Sequence, residues 1–378
     1  MRFTKHISIA CALLAVLAVA TPAASASPSQ IDFFEAPQQL LSSGGRSPAF
    51  QQLTGLGVRA IRIQLIWDEV APKPNSRTKP NVNLANPASY NWGQYLYAIQ
   101  QAQLLNWTVL LTVTGAAPCW ASACATTPTK HETKRQKLDA IVTNPNATDY
   151  GKFLRAVGSK FGSYVKLYSI WNEPNQPQFL LPQYAAHHRL LSPSIYRRLF
   201  LAGYKGLRAS GNFTRMKVLM GETSPVGGFS DISTPLAFMR GVLCLNSSYR
   251  KTSSCGRLPA AGYAQHPYDQ RQGPYWVPPA YAGGKDDVTM ATLGQLATAL
   301  DRAAAAGAIR SHLPIYITEY GVQSYPNHGL GVPALQQAEY DAIAEQMAYN
   351  DPRVASFVQY LLTDDPIAPE ASSNVVLV

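Results

Sequence analysis

The chain has 378 residues, of which 46% are apolar and only 14% are charged. This composition provides enough apolar side chains for a large core and excludes a largely disordered chain. The formal net charge is +10, but the basic residues are scattered and accompany no nucleic-acid-binding motif, so we set nucleic acid aside as a partner.

Residues 1–26 are typical of a secretory signal peptide. They begin with Arg2 and Lys5, continue as an apolar run over 7–20, and end in Ala-Ser-Ala at 24–26. No later apolar stretch is long enough to cross a bilayer, so we expect no stable membrane insertion. The sequence therefore predicts a secreted protein, extracellular or associated with the cell wall, whose mature chain spans 27–378.

Short apolar runs alternate with helical patterns along this mature chain. Strands are predicted at 31–34, 58–67, 107–114, 165–170, 217–220, 262–265, 315–318 and 354–362. Helices are predicted at about 47–56, 87–105, 147–161, 194–209, 290–306 and 333–349. A long loop is predicted over 115–146, and an insertion between the fifth and sixth strands.

Eight strands that alternate with helices favour a parallel sheet closed into a (β/α)8 TIM barrel, as one domain with long strand-to-helix loops. The alternative is an open doubly wound sheet. A nucleotide-binding sheet of that kind has a glycine-rich phosphate-binding loop after its first strand, and this sequence has none there. Only 16 residues follow the eighth strand, so we expect the last helix to be short or missing.

Four cysteines remain after the signal peptide, and they form two local pairs. We expect disulfides between Cys119 and Cys124 and between Cys244 and Cys255, because an even cysteine count is typical of exported chains. A metal site is the alternative, but no histidine lies at ligand spacing near either pair.

Two carboxylic acids follow predicted strands directly. The fourth strand continues into Trp-Asn-Glu-Pro-Asn at 171–175, and the seventh into Glu-Tyr-Gly at 319–321. Three strands apart around a barrel, Glu173 and Glu319 would face one another across its mouth. Cleavage of a glycosidic bond needs one protonated and one ionised carboxyl group, and the adjacent Asn172 amide can hydrogen-bond a sugar 2-hydroxyl.

These two motifs resemble those of the clan A glycoside hydrolases. The segment 170–175 (Ile-Trp-Asn-Glu-Pro-Asn) is closest to the family 39 and family 5 groups, and 317–321 (Ile-Thr-Glu-Tyr-Gly) is similar to the clan's nucleophile motif. The resemblance implies a retaining double displacement of a β-linked saccharide, with Glu173 as acid/base and Glu319 as nucleophile about 5 Å apart. It implies no cofactor and no metal, and we expect a monomer.

The resemblance also implies further substrate-site residues. Arg62 matches the clan's rim arginine, with Arg59 as the competing choice on the opposite strand face. The remaining matches are His266, Tyr268, Trp120 and Tyr360. Each has a purely structural alternative, and Gln359 competes with Tyr360 on the eighth strand, where the clan usually has a tryptophan.

Two other functions are also consistent with the sequence. A catalytically silent carbohydrate-binding or cell-surface barrel would share the fold, and a transglycosylase would share every catalytic residue. Glu222 and Asp269 lie near strand ends, but no role requires them. His187 and His188 are adjacent, with no third ligand at suitable spacing, so we reject a metal site there.

Overall fold

The structure, a computed structural model, describes residue 27 and residues 29–42, 46–126, 133–229, 231–280, 284–326 and 329–363. Its strands are β1 Ile31–Glu35, β2 Ala60–Ile66, β3 Thr108–Thr114, β4 Leu167–Ile170, β5 Tyr184–Ala185, β6 Arg189–Leu190, β7 Lys217–Thr223, β8 Gly262–Gln265, β9 Ile315–Ile317 and β10 Val354–Tyr360. Its α-helices are α1 Pro37–Leu41, α2 Arg46–Gly55, α3 Trp67–Val70, α4 Gly93–Leu104, α5 Lys134–Val142, α6 Ala147–Phe161, α7 Ser192–Arg208, α8 Pro235–Val242, α9 Leu293–Ala305 and α10 Ala334–Asn350.

Eight parallel strands close into a barrel in the order β1-β10-β9-β8-β7-β4-β3-β2, while β5 and β6 form a separate short hairpin. The prediction of a (β/α)8 barrel is thereby confirmed. All eight predicted strands are present, within two residues at most ends, because runs of β-branched and apolar residues bounded by loops identify buried parallel strands well.

The barrel interior contains an apolar plug to which each strand contributes one buried residue. Its members are Phe33, Ala60, Leu110, Leu167, Leu219, Ala264, Tyr316 and Val358. A second and larger apolar cluster lies between the outer faces of the strands and the surrounding helices. The plug fills the barrel interior and forms the floor of the region at the carboxyl ends of the strands.

Helices α6 and α7 approach one another closely through glycines. A Cβ at Gly206 would lie 2.1 Å from the carbonyl oxygen of Gly151, so only glycine lets the two backbones approach this closely. We expect Gly206→Ala to lower the free energy of unfolding by about 1–3 kcal/mol through overpacking. Gly294→Ala in α9 is the matched control, since nothing lies within 4 Å of its added carbon. Urea unfolding measures both, and equal stability of the two variants would contradict this packing.

Besides the short helices α1 and α3, two longer helices lie where the sequence predicted only a loop or an insertion. Helix α5 falls inside 115–146 and begins with a capping box formed by Thr133 and Gln136. Helix α8 follows β7 and buries Leu236, Phe238 and Met239. The first has a weak apolar pattern and the second is only two turns long, so neither contrasts with its flanks over the length a periodicity argument needs.

Both predicted disulfides are present, Cys119–Cys124 and Cys244–Cys255, with Cα separations of 4.8 Å and 6.2 Å. The first lies in the strand-to-helix loop after β3, and the second lies in the helix-to-strand loop between α8 and β8. Among the described residues, no helix combines the length and apolarity that crossing a membrane requires. The predictions of a signal peptide at 1–26 and of a short or missing last helix concern segments outside the described residues.

Candidate active site

Two residues beyond the plug, the barrel interior changes from apolar to polar. Because side chains alternate along a strand, the next inward position after each plug residue lies two residues further on. These positions hold Glu35, Arg62, Thr112, Ser169, Gly221, His266, Thr318 and Tyr360. Charged and hydrogen-bonding groups are thus concentrated at the carboxyl end of the barrel, where the active sites of this fold lie.

The structure brings the two acids identified from sequence together in this polar layer. Glu173 follows β4 and Glu319 follows β9, and they are 1% and 6% exposed. Each has a carboxyl oxygen within 4.8 Å of the other's and of a ring nitrogen of His266. Nδ1 of His266 lies 3.0 Å from Oε1 of Glu173 and 3.3 Å from Oε2 of Glu319. The His266 ring therefore contacts both acids.

The backbone around Glu173 is held in an uncommon conformation. Trp171 and Glu173 have φ values of 68° and 36°, in the left-handed region that non-glycine residues rarely adopt. The amide N–H of Trp171 donates to the Val113 carbonyl (3.0 Å), and that of Asn172 donates to Oγ1 of Thr114 (3.0 Å). Neighbouring β3 thus fixes the segment that presents the acid.

Glu319 lies among hydrogen-bond donors. Arg62 Nη1 donates to Oε1 of Glu319 at 2.6 Å, Gln64 Nε2 donates to the same oxygen at 3.1 Å, and the Tyr268 hydroxyl donates to Oε2 at 3.0 Å. Burial would raise the pKa of this carboxyl. The charge of Arg62 and the hydrogen bonds from Arg62 and Tyr268 act against burial, and the pKa of Glu319 lies below its ordinary value.

Glu173 has the opposite electrostatic environment. Burial, together with the nearby negative charge of Glu319, raises the pKa of Glu173 well above its ordinary value. Its Oε2 is buried and has no hydrogen-bond partner among the described residues. Burial also lowers the pKa of His266 to about 3, so this ring is neutral at pH 7 and the positive charge of the site belongs to Arg62. The two pKa shifts are opposite in direction, so they favour a proton on Glu173 and a charge on Glu319, the arrangement that two-carboxyl chemistry requires.

Sequence reasoning missed two further acids that contact Arg62. Glu35, at the end of β1, accepts a hydrogen bond from Nη1 of Arg62, and Glu222 accepts one from Nη2 at 3.0 Å. Glu222 was assigned no role from sequence, and the structure places it in the centre of the site. Alternation along β1 from Phe33 would have placed Glu35 inward, whereas Glu222 gave no such signal. Burial raises the pKa of Glu35 to about 8.

Tyr360 and Trp120 were also predicted as substrate-site residues, and the structure places them in different surroundings. The Tyr360 ring makes an edge contact with the Tyr268 ring at 6.4 Å between centroids, at the rim of the polar layer. Trp120 instead packs edge-on against Trp67 at 6.0 Å and donates its indole N–H to the Pro72 carbonyl. These contacts place Trp120 in the packing of the β2 and β3 loops, and its contact with substrate stays a prediction.

Arg62 is the cation in contact with three buried acids, namely Glu35, Glu222 and Glu319. Arg62→Met would leave those that are ionised, Glu319 above all, without a counter-charge. We expect a loss of about 3–5 kcal/mol in the free energy of unfolding at pH 7, with a smaller loss at pH 4, where the acids bind protons. Arg59→Met, at the exposed residue that directly precedes β2, is the control. Thermal unfolding that is equal for both variants would contradict the role of Arg62.

Glu173, His266 and Glu319 also offer three potential metal ligands within 4.8 Å of one another. A divalent cation would require both carboxylates ionised, and the raised pKa of Glu173 opposes that state. The guanidinium of Arg62, 2.6 Å from Glu319, would repel a second cation. This donor set fits a proton-sharing acid pair better than a metal centre.

The fold and the polar layer together define an eight-stranded parallel barrel with paired carboxyls at its mouth. Solved structures with this fold include a hyperthermophilic β-glucosidase from Pyrococcus furiosus, with a TM-score of 0.53, 13% identity, and coverage of 90% of this chain and 88% of that one. A family 1 β-glucosidase from Thermotoga maritima has a TM-score of 0.54, 11% identity, and coverage of 89% of each chain. No protein-family model and no curated protein matches the sequence. The likeness therefore shows a shared fold.

Proposed function

We propose that this protein is a retaining glycosidase that cleaves O-glycosidic bonds of a β-linked oligo- or polysaccharide. Glu173 is its acid/base and Glu319 its nucleophile. The observation that carries the proposal is the opposed protonation of two buried carboxyls, with the pKa of Glu173 raised and that of Glu319 lowered, and their oxygens within 4.8 Å. Carboxyl oxygens this close favour direct attack by one carboxylate, because activation of a water between the two acids needs a separation of about 6.5–9.5 Å.

In the first step, Oε2 of Glu173 gives its proton to the glycosidic oxygen while a carboxylate oxygen of Glu319 attacks the anomeric carbon. The C–O bond to the leaving sugar breaks and a glycosyl ester forms. In the second step, Glu173, now ionised, takes a proton from water, whose oxygen displaces Glu319. Asn172 accepts a hydrogen bond at Oδ1 from Arg62 (3.2 Å), so its Nδ2 is the amide end directed to donate to the sugar 2-hydroxyl.

Fold and site together support the proposed substrate class. The similar solved structures are named as β-glucosidases, which supports a β-linked sugar. The closer assignment to families 39 and 5 depends on the motif at 170–175. The two disulfides favour an oxidising compartment, so we further propose that the enzyme acts outside the cell. That it acts as a monomer stays a prediction.

The stereochemical course of the reaction tests this proposal. The protein is incubated with a panel of aryl β-glycosides and β-linked polysaccharides, and proton NMR follows the anomer released first. We expect the β-anomer first, with slow equilibration to the α-anomer afterwards. Initial release of the α-anomer would exclude a double displacement. Saccharide binding without turnover on any substrate would favour the catalytically silent alternative.

A further inference from the structure

We propose that Glu222 is a positioning residue for the reaction assigned above. Its side chain orients Arg62, which holds the nucleophile, and its main chain holds the acid/base segment. One residue at the end of β7 thereby aligns both acids. The inference depends on the proposed function for its catalytic consequences, but the geometry that carries it is independent of substrate.

Glu222 reaches the site through a β-bulge. The pairing of β7 with β8 shifts register between Gly221 and Thr223, and Glu222 itself has a φ of 48°. By alternation from Leu219, the inward position is Gly221, where a Cβ would lie 2.4 Å from the Ala264 carbonyl oxygen. Bulges commonly redirect a side chain. Here the bulge puts Glu222 in the place that glycine leaves open in the polar layer.

The Glu222 side chain closes a ring of hydrogen bonds with Arg62. Nη2 of Arg62 donates to Oε2 of Glu222 at 3.0 Å, and Nε of Arg62 donates to Oγ1 of Thr112 at 3.1 Å. Because that oxygen accepts from arginine, the Thr112 proton is directed to Oε1 of Glu222, at 2.7 Å. Both carboxyl oxygens therefore accept, which is the arrangement of an ionised group. The ring fixes two of the three guanidinium nitrogens and directs Nη1 at Glu319.

The main chain of Glu222 contacts the other half of the acid pair. The amide N–H of Glu173 donates to the Glu222 carbonyl at 2.9 Å. Arg62, held by Glu222, also donates from Nη2 to Oδ1 of Asn172 at 3.2 Å. Glu222 is 0% exposed, and its oxygens are occupied by Arg62 and Thr112. It therefore acts through its neighbours rather than on the sugar.

The charge of Glu222 also affects the acid/base. Burial raises the pKa of Glu222 above its ordinary value, while the charge of Arg62 and the Thr112 hydrogen bond act in the other direction and favour its ionised form. Inside the barrel it faces Arg62, Glu173 and Glu319, and its negative charge is one contribution to the raised pKa of Glu173. On the helix side it faces Tyr150 of α6 and Tyr196 of α7, whose raised pKa values keep both phenols neutral. Removal of the Glu222 charge should make Glu173 a stronger acid, and the alkaline limb of kcat/KM should move to lower pH.

Three variants separate the effect of the Glu222 charge from the effect of its side-chain length and hydrogen bonds. Glu222→Gln removes the charge, Glu222→Asp keeps it on a shorter side chain, and Thr112→Val removes one donor of the ring. In all three we expect kcat to fall about 10- to 100-fold with KM changed less than about threefold, because orientation is lost rather than substrate contact. Only Glu222→Gln should move the alkaline limb by about one pH unit downwards. Glu339→Gln on the exposed side of α10 is the control.

A second readout makes the test independent of turnover. Carbon-13 NMR of protein labelled at the glutamate carboxyl carbons follows the titration of Glu173, whose signal is identified by its loss in Glu173→Gln. A lower pKa of Glu173 in Glu222→Gln, with no change in Glu339→Gln, supports the inference even if no glycoside is hydrolysed, an outcome that would count against the proposed function alone. An unchanged Glu173 titration, with kcat and pH profile also unchanged in a folded Glu222→Gln or Thr112→Val, would overturn it.

Discussion

Glu319→Gln is expected to reduce kcat by at least about 10⁴-fold while the protein stays folded. An amide has no negative charge and cannot form the glycosyl ester, so the first bond-forming step is lost rather than slowed. The amide oxygen can still accept from Arg62 Nη1, now 2.6 Å from the carboxylate oxygen Oε1. Because the size and the main hydrogen bond are preserved, we expect a melting temperature within a few degrees of the wild type.

The measurement is the steady-state rate on the best aryl β-glycoside, with Glu339→Gln as an exposed control for the same chemical change. Circular dichroism verifies that the variant is folded. Addition of azide to Glu319→Ala should restore part of the rate, since the small anion can occupy the space of the missing carboxylate and attack the anomeric carbon. Wild-type turnover in folded Glu319→Gln would remove this residue from the mechanism.

Glu173→Gln should have an effect that depends on the leaving group. Loss of a general acid costs about 10²- to 10⁴-fold when the departing oxygen needs a proton. Aryl glycosides with acidic phenols leave unaided, so their first step should be almost unchanged and the glycosyl ester should accumulate as a burst. We expect the logarithm of the rate to fall steeply with the pKa of the leaving phenol in the variant and only slightly in the wild type. Equal slopes would contradict acid catalysis by Glu173.

The pH profile follows from the same two groups. Activity needs an ionised Glu319 and a protonated Glu173. Because the pKa of Glu319 is lowered from 4.5, the acid limb should lie below pH 4.5, and because that of Glu173 is raised, the alkaline limb should lie well above it. In Glu173→Gln the alkaline limb should disappear for acidic phenols while the acid limb remains.

The barrel and the acid pair were accessible from sequence for a simple physical reason. Parallel strands buried on both faces appear as continuous apolar runs, and a polar residue directly after such a run must lie at the carboxyl edge. Glu173 and Glu319 both satisfy that rule, and strand alternation separates Arg62, which is buried, from Arg59, which is exposed. No long-range information was needed for these positions.

Glu222 shows where that reasoning stops. Alternation from Leu219 selects Gly221 as the inward residue, and only the register shift between β7 and β8 turns Glu222 inward instead. A bulge depends on how two strands pair, and the residue pattern of one strand holds no information about that pairing. Glu35 was missed for another reason. Its strand was predicted to end at residue 34, one position short of the acid, and strand ends are the least certain part of such a reading.

Trp120 illustrates the limit for loops. Its position after β3 was read from a motif, but its ring packs against Trp67 beside the Cys119–Cys124 disulfide. Loop conformation depends on contacts with other loops, here those after β2 and β3, so the direction of a loop side chain does not follow from its distance to a strand end.

Covalent trapping tests the double displacement most directly. A 2-deoxy-2-fluoro glycoside of the sugar that the enzyme hydrolyses best, with an activated leaving group, forms the glycosyl ester faster than water can remove it. Peptide mass spectrometry then locates the added sugar. We predict one sugar per chain, attached to the peptide that contains Glu319, and no label in Glu319→Gln. A label on Glu173 or on any other residue, or steady hydrolysis of the reagent with no label at all, would contradict nucleophilic catalysis by Glu319.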